Sequence, residues 1–328
     1  MIKNNKVYII AEIGVNHNGQ LSLAKKTIQA AKKCGADAVK FQSFHTEEFM
    51  SNKNVIYKYH KKKENMHSMF KRLEFKKNWY LILARYCKNL SIDFLTSVAD
   101  ETSLNNYLKI KPKIIKVSSE DLINYPLLKI LSKQKQHIIL STGMADEKEV
   151  KRALSIFKGN KNISILHCVS LYPTPLNKIN LHRMISLKKF NCAIGFSDHT
   201  IGIKACIYAA CIGAKIIEKH FTLDKNLTGP DHKISANPKE LSMLVNEIRN
   251  ISTILGNGKI FPSKKEINVR KKFRRSVVAN KKIQKNQIFT KEMLTLKRPG
   301  TGLHPIYLKK LIGVKSKNTF KVNQKIKI

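Results

Sequence analysis

The sequence predicts a (β/α)8 barrel followed by a small β-rich domain. Three observations carry this. Eight short runs rich in Ile, Val, Leu and Phe alternate with amphipathic helical stretches over the first 258 of 328 residues, which is the arithmetic of a TIM barrel. The runs lack the polar alternation of a sheet wetted on one face. Beyond them the texture changes to short strand-like pieces separated by turns.

In chain order the predicted strands are 7–14 (VYIIAEIG), 36–44, 92–98, 114–119, 137–143, 163–169, 192–198 and 214–221. Helical patterns between them include 21–34, 147–157 and 238–255. A doubly wound open sheet is the alternative, weakened because no GxGxxG turn follows the first strand. The connection 45–75 is long and mixes charge with Tyr57, Tyr59 and Phe70, which suits either a partly ordered insertion or a lid. Residues 1–258 are assigned to the barrel, 259–274 (Gly/Pro/Lys-rich) to a linker, and 275–328 to the β-rich domain. A domain of that size is at the lower limit of independent stability and is expected to lean on the barrel or on a partner subunit.

Composition narrows the class. Hydrophobic residues make up 42%, enough for a sizeable core. No run approaches the roughly 18 apolar residues of a membrane span. The N-terminal apolar run meets Glu12 and lacks a small-residue cleavage site, so it reads as a strand and the expected location is the cytoplasm. Six cysteines, none in a CxxC pair, suit reduced, buried thiols. The formal charge of +40 suggests nucleic acid. However, the lysines are scattered over nearly every element, and no zinc-finger, RNP-like or basic-region pattern accompanies them. An attraction for anionic substrates is the functional corollary.

In such a barrel, chemistry gathers at the C-terminal strand ends. Those ends carry Glu12, Lys40 with Gln42, Ser97, Lys116 with Ser119 and Asp121, Ser141 with Thr142, Tyr172, Ser197 with His199, and His220. Lys40 and Lys116 sit inside apolar strands, unlike solvated lysines, and suit a small di- or trianion. The hydroxyls of Ser97, Ser119 and Ser197 complete a cradle for phosphate or carboxylate. One strand-end histidine is usually a packed core residue. Two on consecutive strands among acids and lysines, His199 and His220, point to a first-row divalent ion. His167 reads as core, and His17 as shaping the turn after the first strand. Glu12 and Asp231 are candidates for sugar recognition or proton handling; turn capping is the plainer reading of Asp231.

The ordered motifs AEIGVNHNG, ADAVKFQ, LSTGM, HCVSLYPTP, FSDHTIG, EKHFTLD and GPDHKIS resemble the sialic acid synthase family. The tail RRSVVA…LKRPGTG resembles that family's C-terminal antifreeze-like SAF domain, of the β-clip type. The resemblance implies Mn²⁺ or a similar ion on His199 and His220. It also implies phosphoenolpyruvate gripped by Lys40, Lys116, Ser97, Ser119 and Ser197, and an amino sugar held by Glu12, Gln42, Asp121, Tyr172 and Asp231. A domain-swapped homodimer, with Arg298 reaching the N-acyl group, is implied too. Three departures stand out: Glu120 replaces a common glycine, Asp121 stands where some members have glutamate, and Ser170 stands where some have asparagine, at a position that contacts phosphoenolpyruvate.

The expected reaction condenses phosphoenolpyruvate with open-chain N-acetylmannosamine and water, giving N-acetylneuraminate and phosphate with C–O cleavage. A 6-deoxy diacetamido sugar, giving N,N'-diacetyllegionaminate, is the alternative acceptor. Discrimination is expected in 45–75, with Asn65 as a candidate. The different-class alternatives are a non-catalytic carbohydrate-binding or interaction protein and a basic nucleic-acid-binding protein.

Overall fold

The computed structural model describes residues 6–59, 62–159 and 162–328. They form two compact units, Met1–Gly256 and Asn257–Ile328. In the first unit eight parallel strands close into a barrel: β1 (Tyr8–Gly14), β2 (Ala38–Ser43), β3 (Asp93–Val98), β4 (Ile114–Val117), β5 (His137–Ser141), β6 (Ile163–Cys168), β7 (Ala193–Asp198) and β8 (Ile216–His220). Each is followed by a helix: α1 (Leu21–Lys33), α2 (Trp79–Asn89), α3 (Glu101–Leu108), α4 (Tyr125–Ser132), α5 (Glu147–Ile156), α6 (His182–Leu187), α7 (Lys204–Cys211) and α8 (Pro238–Leu255). Every predicted strand is present, trimmed by one to three residues at its ends where loops take over.

The strands lack polar alternation because both faces are dry. Their outward residues, such as Ile9, Val39, Ile115, Leu140, Ile165, Phe196 and Ile217, pack under the helices. Their inward residues Ile10, Ala38, Leu95, Ile114, Ile139, Leu166 and Ile216 fill the barrel. Gly195 completes that inner ring, since a Cβ there would come within 2.5 Å of Leu166 Cδ2 and of the Ile216 carbonyl. Helix starts are fixed by local chemistry. Asp100 caps α3 through the Ser103 N–H, and Asp146/Glu149 and Asn237/Glu240 form capping boxes on α5 and α8.

The 45–75 connection is built, rather than loosely ordered. Helices Thr46–Phe49 and Met66–Leu73 flank an antiparallel hairpin of Ile56–Tyr59 with Lys62–Asn65; residues 60 and 61 lie outside the described set. Val15, Phe44, Tyr59, Met69 and Leu73 make a separate small core there, with Tyr57 and Phe70 against it. Asn65, expected as a sugar contact, instead caps the second helix by accepting from the Ser68 N–H.

In the second unit Ser276–Ala279 pairs antiparallel with Leu294–Lys297 around a core of Val277, Ile283, Phe289, Leu311 and Phe320. The segment read as a linker contains a helix, Lys264–Phe273, started by a Ser263/Glu266 capping box. Its lysines and arginines lack the apolar stripe that marks a helix in sequence, so composition alone suggested a tether.

Candidate active site

Period-two geometry builds the site. Two residues beyond each inward apolar side chain, every strand places another residue inside the barrel: Glu12, Lys40, Ser97, Lys116, Ser141, Cys168, Ser197 and Glu218. All eight are buried, none more than 5% exposed. Register agrees, with Glu12 opposite Lys40 and Ser97 opposite Lys116 as cross-strand neighbours. The barrel therefore changes from hydrocarbon to a collar of two carboxylates, two ammonium groups, three hydroxyls and one thiol within one step.

Within the collar Lys40 Nζ lies 2.8 Å from Glu12 Oε2 and 3.9 Å from Glu218 Oε1. Ser197 Oγ donates to Glu218 Oε1 at 2.9 Å. Lys116 Nζ donates to Ser141 Oγ at 2.6 Å and to the Val117 carbonyl at 2.9 Å. Burial pushes the Glu12 carboxyl up to about 8, outweighing the pull of Lys40. Burial also acts on Glu218, but Lys116, Lys40 and the Ser197 hydroxyl overcome it and its pKa falls. Lys40 is held above the ordinary lysine value because Glu12 and Glu218 outweigh its burial. Lys116 is pulled below it, chiefly by burial. Two carboxylates compete for the same cations, and Glu218, which also has Lys116 and the Ser197 hydroxyl, keeps the charge. Glu12 is then the group able to exchange a proton near neutrality.

Past the collar, Ser119 Oγ accepts from the Gly143 N–H at 3.0 Å. A Cβ on Gly143 would come 2.4 Å from Ser170 Oγ and 2.7 Å from Ser119 Oγ. The two serines therefore close on a bare backbone amide, forming a hydroxyl-lined recess whose size requires glycine.

His199 and His220 meet above the collar, their ring centroids 5.4 Å apart. His199 Nδ1 lies 2.7 Å from the Val169 carbonyl; a carbonyl only accepts, so Nδ1 carries the proton and Nε2 keeps its lone pair. His220 Nδ1 is buried without a hydrogen-bond partner and lies 3.8 Å from Asp231 Oδ2. Burial lowers both imidazole pKa values, with His199 adding to the effect on His220, so both are in the neutral, ligating form. Among the described residues no group of three or more His, Cys, Asp or Glu converges as a closed metal site. The donor set fits an ion bound by two imidazoles, leaving positions for water and substrate oxygen.

Beside this mouth opens a cavity of about 360 Å³. One side is polar, with Gln42, Ser97, Asp121, Tyr172 and Asp231; the other is apolar, with Phe44, Phe49, Tyr57, Met66, Met69 and Phe70. Burial pushes Asp121 up to about 7, assisted by Glu120, and Asp231 up to about 6. Tyr172 stacks on His199 with centroids 4.1 Å apart. A larger cavity of about 680 Å³ lies at the opposite ends of β3 and β4, lined by Asp93, Lys113 and Ile114 among others. None of the predicted site residues borders it.

The structure thus gathers Glu12, Lys40, Gln42, Ser97, Lys116, Ser119, Asp121, Ser170, Tyr172, Ser197, His199, His220 and Asp231 at one end of one barrel. Arg298 belongs to the second unit, where its guanidinium lies 5.2 Å from the Phe273 ring centre. His17 is a turn residue, accepting from the Gly19 N–H at 3.0 Å, and His167 is core, 2.6 Å from the Ile179 carbonyl. Sequence reasoning missed Glu218. Counting back two from His220 would have found it, because alternation places residues 218 and 220 on one face.

The comparisons with known proteins agree with this geometry. The NeuB family model matches residues 27–260 and the SAF domain model residues 274–326. The chain is 41% identical to the N,N'-diacetyllegionaminic acid synthase of Campylobacter jejuni, over 98% of this chain and 99% of that protein. It is 38% identical to the enzyme of the same name from Legionella pneumophila, over 93% and 89%. The crystal structure of N-acetylneuraminic acid (sialic acid) synthetase from Leptospira borgpetersenii in complex with citrate matches with a TM-score of 0.75 and 39% identity, covering 81% of this chain and 92% of that one.

Proposed function

The chain belongs to the NeuB family, and from that premise we propose that it condenses phosphoenolpyruvate with a 6-deoxy diacetamido hexose to give an N,N'-diacetyllegionaminate-type nine-carbon acid and phosphate. The observation that carries the acceptor choice is the two-sided cavity. Its aromatic and methionine wall suits the methyl of a 6-deoxy sugar and of a second acetamido group, each worth roughly 0.8 kcal/mol when buried. The names of the two legionaminic acid synthases point the same way. N-acetylmannosamine is the second reading, supported by the polar half of the cavity and by the name of the Leptospira relative.

In this proposal the phosphoenolpyruvate anion settles on Lys40 and Lys116, with the Ser119–Gly143–Ser170 recess supplying hydroxyls and one backbone donor. Burial lowers the Lys116 pKa, and a bound anion beside it would oppose that shift. C3 of phosphoenolpyruvate attacks C1 of the open-chain sugar, whose aldehyde oxygen becomes a hydroxyl by taking the proton that the neutral Glu12 carboxyl carries. Water adds to the electron-poor C2, and Glu12, now ionised, accepts its proton. The tetrahedral centre collapses to a ketone as the C–O bond to phosphate breaks, and its hydroxyl proton leaves with the phosphate. Glu218 stays ionised and balances the lysines. His199 and His220 would hold a divalent cation, which when bound would supply Lewis-acid polarisation of the aldehyde. The remaining catalysis is positioning and electrostatics.

The test is phosphate release from phosphoenolpyruvate with a panel of N-acyl sugars, with and without Mn²⁺. The diacetamido-trideoxy hexose should give the highest kcat/KM. A preference of tenfold or more for N-acetylmannosamine would overturn the acceptor choice, and no release with any acceptor would overturn the reaction.

A further inference from the structure

Behind the two imidazoles, on the opposite face of their strands, lies an ion pair to which the proposed reaction assigns no part. Asp198 and Lys219 are cross-strand neighbours on β7 and β8. Their side chains are fully buried, with Nζ 2.8 Å from Asp198 Oδ2. Asp198 is saturated: it accepts from the Thr200 N–H at 2.9 Å, the Thr200 hydroxyl at 3.0 Å and the Cys206 thiol of α7 at 3.3 Å. The Lys219 ammonium also donates to the Thr200 carbonyl. Backbone pairing between β7 and β8 stops at Asp198 and Lys219, one residue before each imidazole. His220 is still held in register by Glu12 of β1. His199 has left the strand.

We propose that Asp198 and Lys219 are positioning residues that fix the spacing of the His199 and His220 imidazoles. The side-chain pair closes the ladder where the backbone no longer does. Thr200, bonded to both partners, brackets His199 from the far side, so the residue between Asp198 and Thr200 has little freedom to swing. A buried pair is a poor device for stability alone, because a neutral, well-packed replacement commonly serves as well. What a neutral replacement cannot supply is a short, directional tie between two strand ends. The inference rests on the reading that the two imidazoles hold a divalent cation, and it deepens that reading by assigning their support.

Mn²⁺ binding to the full-length protein without substrates, followed by electron paramagnetic resonance of the free ion, tests this together with the thermal midpoint. Wild-type protein should bind a Mn²⁺ that His220→Ala loses. Lys219→Met strands a buried carboxylate and should lower both the midpoint and the affinity. The neutral double variant Asp198→Asn/Lys219→Met should recover most of the midpoint yet bind Mn²⁺ at least about tenfold more weakly. In that variant kcat should fall while KM for phosphoenolpyruvate moves less than about twofold. A double variant with recovered midpoint and wild-type Mn²⁺ affinity would show the pair to be merely structural and overturn the proposal. Should the double variant not fold, Thr200→Val removes one donor to Asp198 with little change of shape. It should weaken Mn²⁺ at an unchanged midpoint, and wild-type affinity there counts against the proposal equally. Mn²⁺ binding that survives His220→Ala would remove the metal reading itself, an outcome distinct from either.

Discussion

Lys116→Met separates recognition from stability at the centre of the collar. The lysine is 2% exposed and surrounded by Val117, Ser141 and the charge of Glu218. Methionine has nearly the same length and volume, so packing is kept. The apo protein loses a desolvated charge whose pKa burial already depresses, while Glu218 retains the Ser197 hydroxyl and Lys40. The two changes offset only in part, because Lys116 is the largest charge holding Glu218 ionised, leaving a net cost of about 1–2 kcal/mol. In a unit of this size that is about 2–8 °C of thermal midpoint. The bound anion, in contrast, loses a charge-assisted hydrogen bond inside a dry site, about 2–4 kcal/mol, or 30- to 1000-fold in kcat/KM for phosphoenolpyruvate. Steady-state phosphate release and a thermal melt read the two quantities independently. A variant with its midpoint down by 10 °C and an unchanged KM for phosphoenolpyruvate would make Lys116 a structural lysine and refute the reasoning.

His220→Ala should abolish metal-dependent phosphate release, and wild-type turnover persisting in chelated buffer would contradict the two-imidazole site. Phe49→Ala, at an open edge of the apolar wall where Phe49 packs edge-on to Phe44 and Phe70, should raise KM for the diacetamido acceptor about tenfold through roughly 1.5 kcal/mol of lost burial. KM for phosphoenolpyruvate should stay constant, and a parallel rise in both would place the wall elsewhere in the mechanism. Acid stability should report on His17, which is fully buried and whose pKa burial lowers to about 4. With the folded pKa below the unfolded value of about 6.5, the contribution is complete above pH 6.5 and is lost as pH falls towards 4. It amounts to about 3 kcal/mol. His17→Asn keeps an acceptor for the Gly19 N–H and should flatten chemical-denaturation stability between pH 7 and 4.5; an unchanged slope would show that His17 does not titrate there.

The barrel was legible because its strands are buried on both faces, so unbroken apolar runs and their spacing survive in composition. The site was legible for a related reason. Lys40 and Lys116 interrupt such runs, and a charge within a dry strand has no ordinary explanation. Glu218, Lys219 and Asp198 escaped notice because the histidines that end EKH and SDH drew the metal reading to themselves. Alternation still operates there, sending Glu218 inward and Lys219 outward. The insertion was opaque for a different cause. Its order comes from Phe44, Tyr59, Met69 and Leu73 meeting across 30 residues of loop, and neither helical nor strand periodicity encodes such a meeting. The Lys264–Phe273 helix was hidden by its charge.

The geometry also explains how one family can include proteins named for different acceptors. In the proposed reaction the shared anion is recognised by collar residues on the strands, where one side chain cannot change without disturbing the groups paired with it. The apolar wall proposed for the acceptor falls on the insertion after β2, whose small core is separate from that of the barrel. Substitutions such as those at Phe49 or Tyr57 can reshape the wall at little cost to the collar, because the two sets of residues share few contacts and their energies should be nearly additive. Lys40 and Glu218 cannot vary in this way. Each holds the other's charge, so the loss of one leaves a buried, unbalanced group. On the proposed reading the chemistry is tied to the fold, and the choice of sugar to a loop.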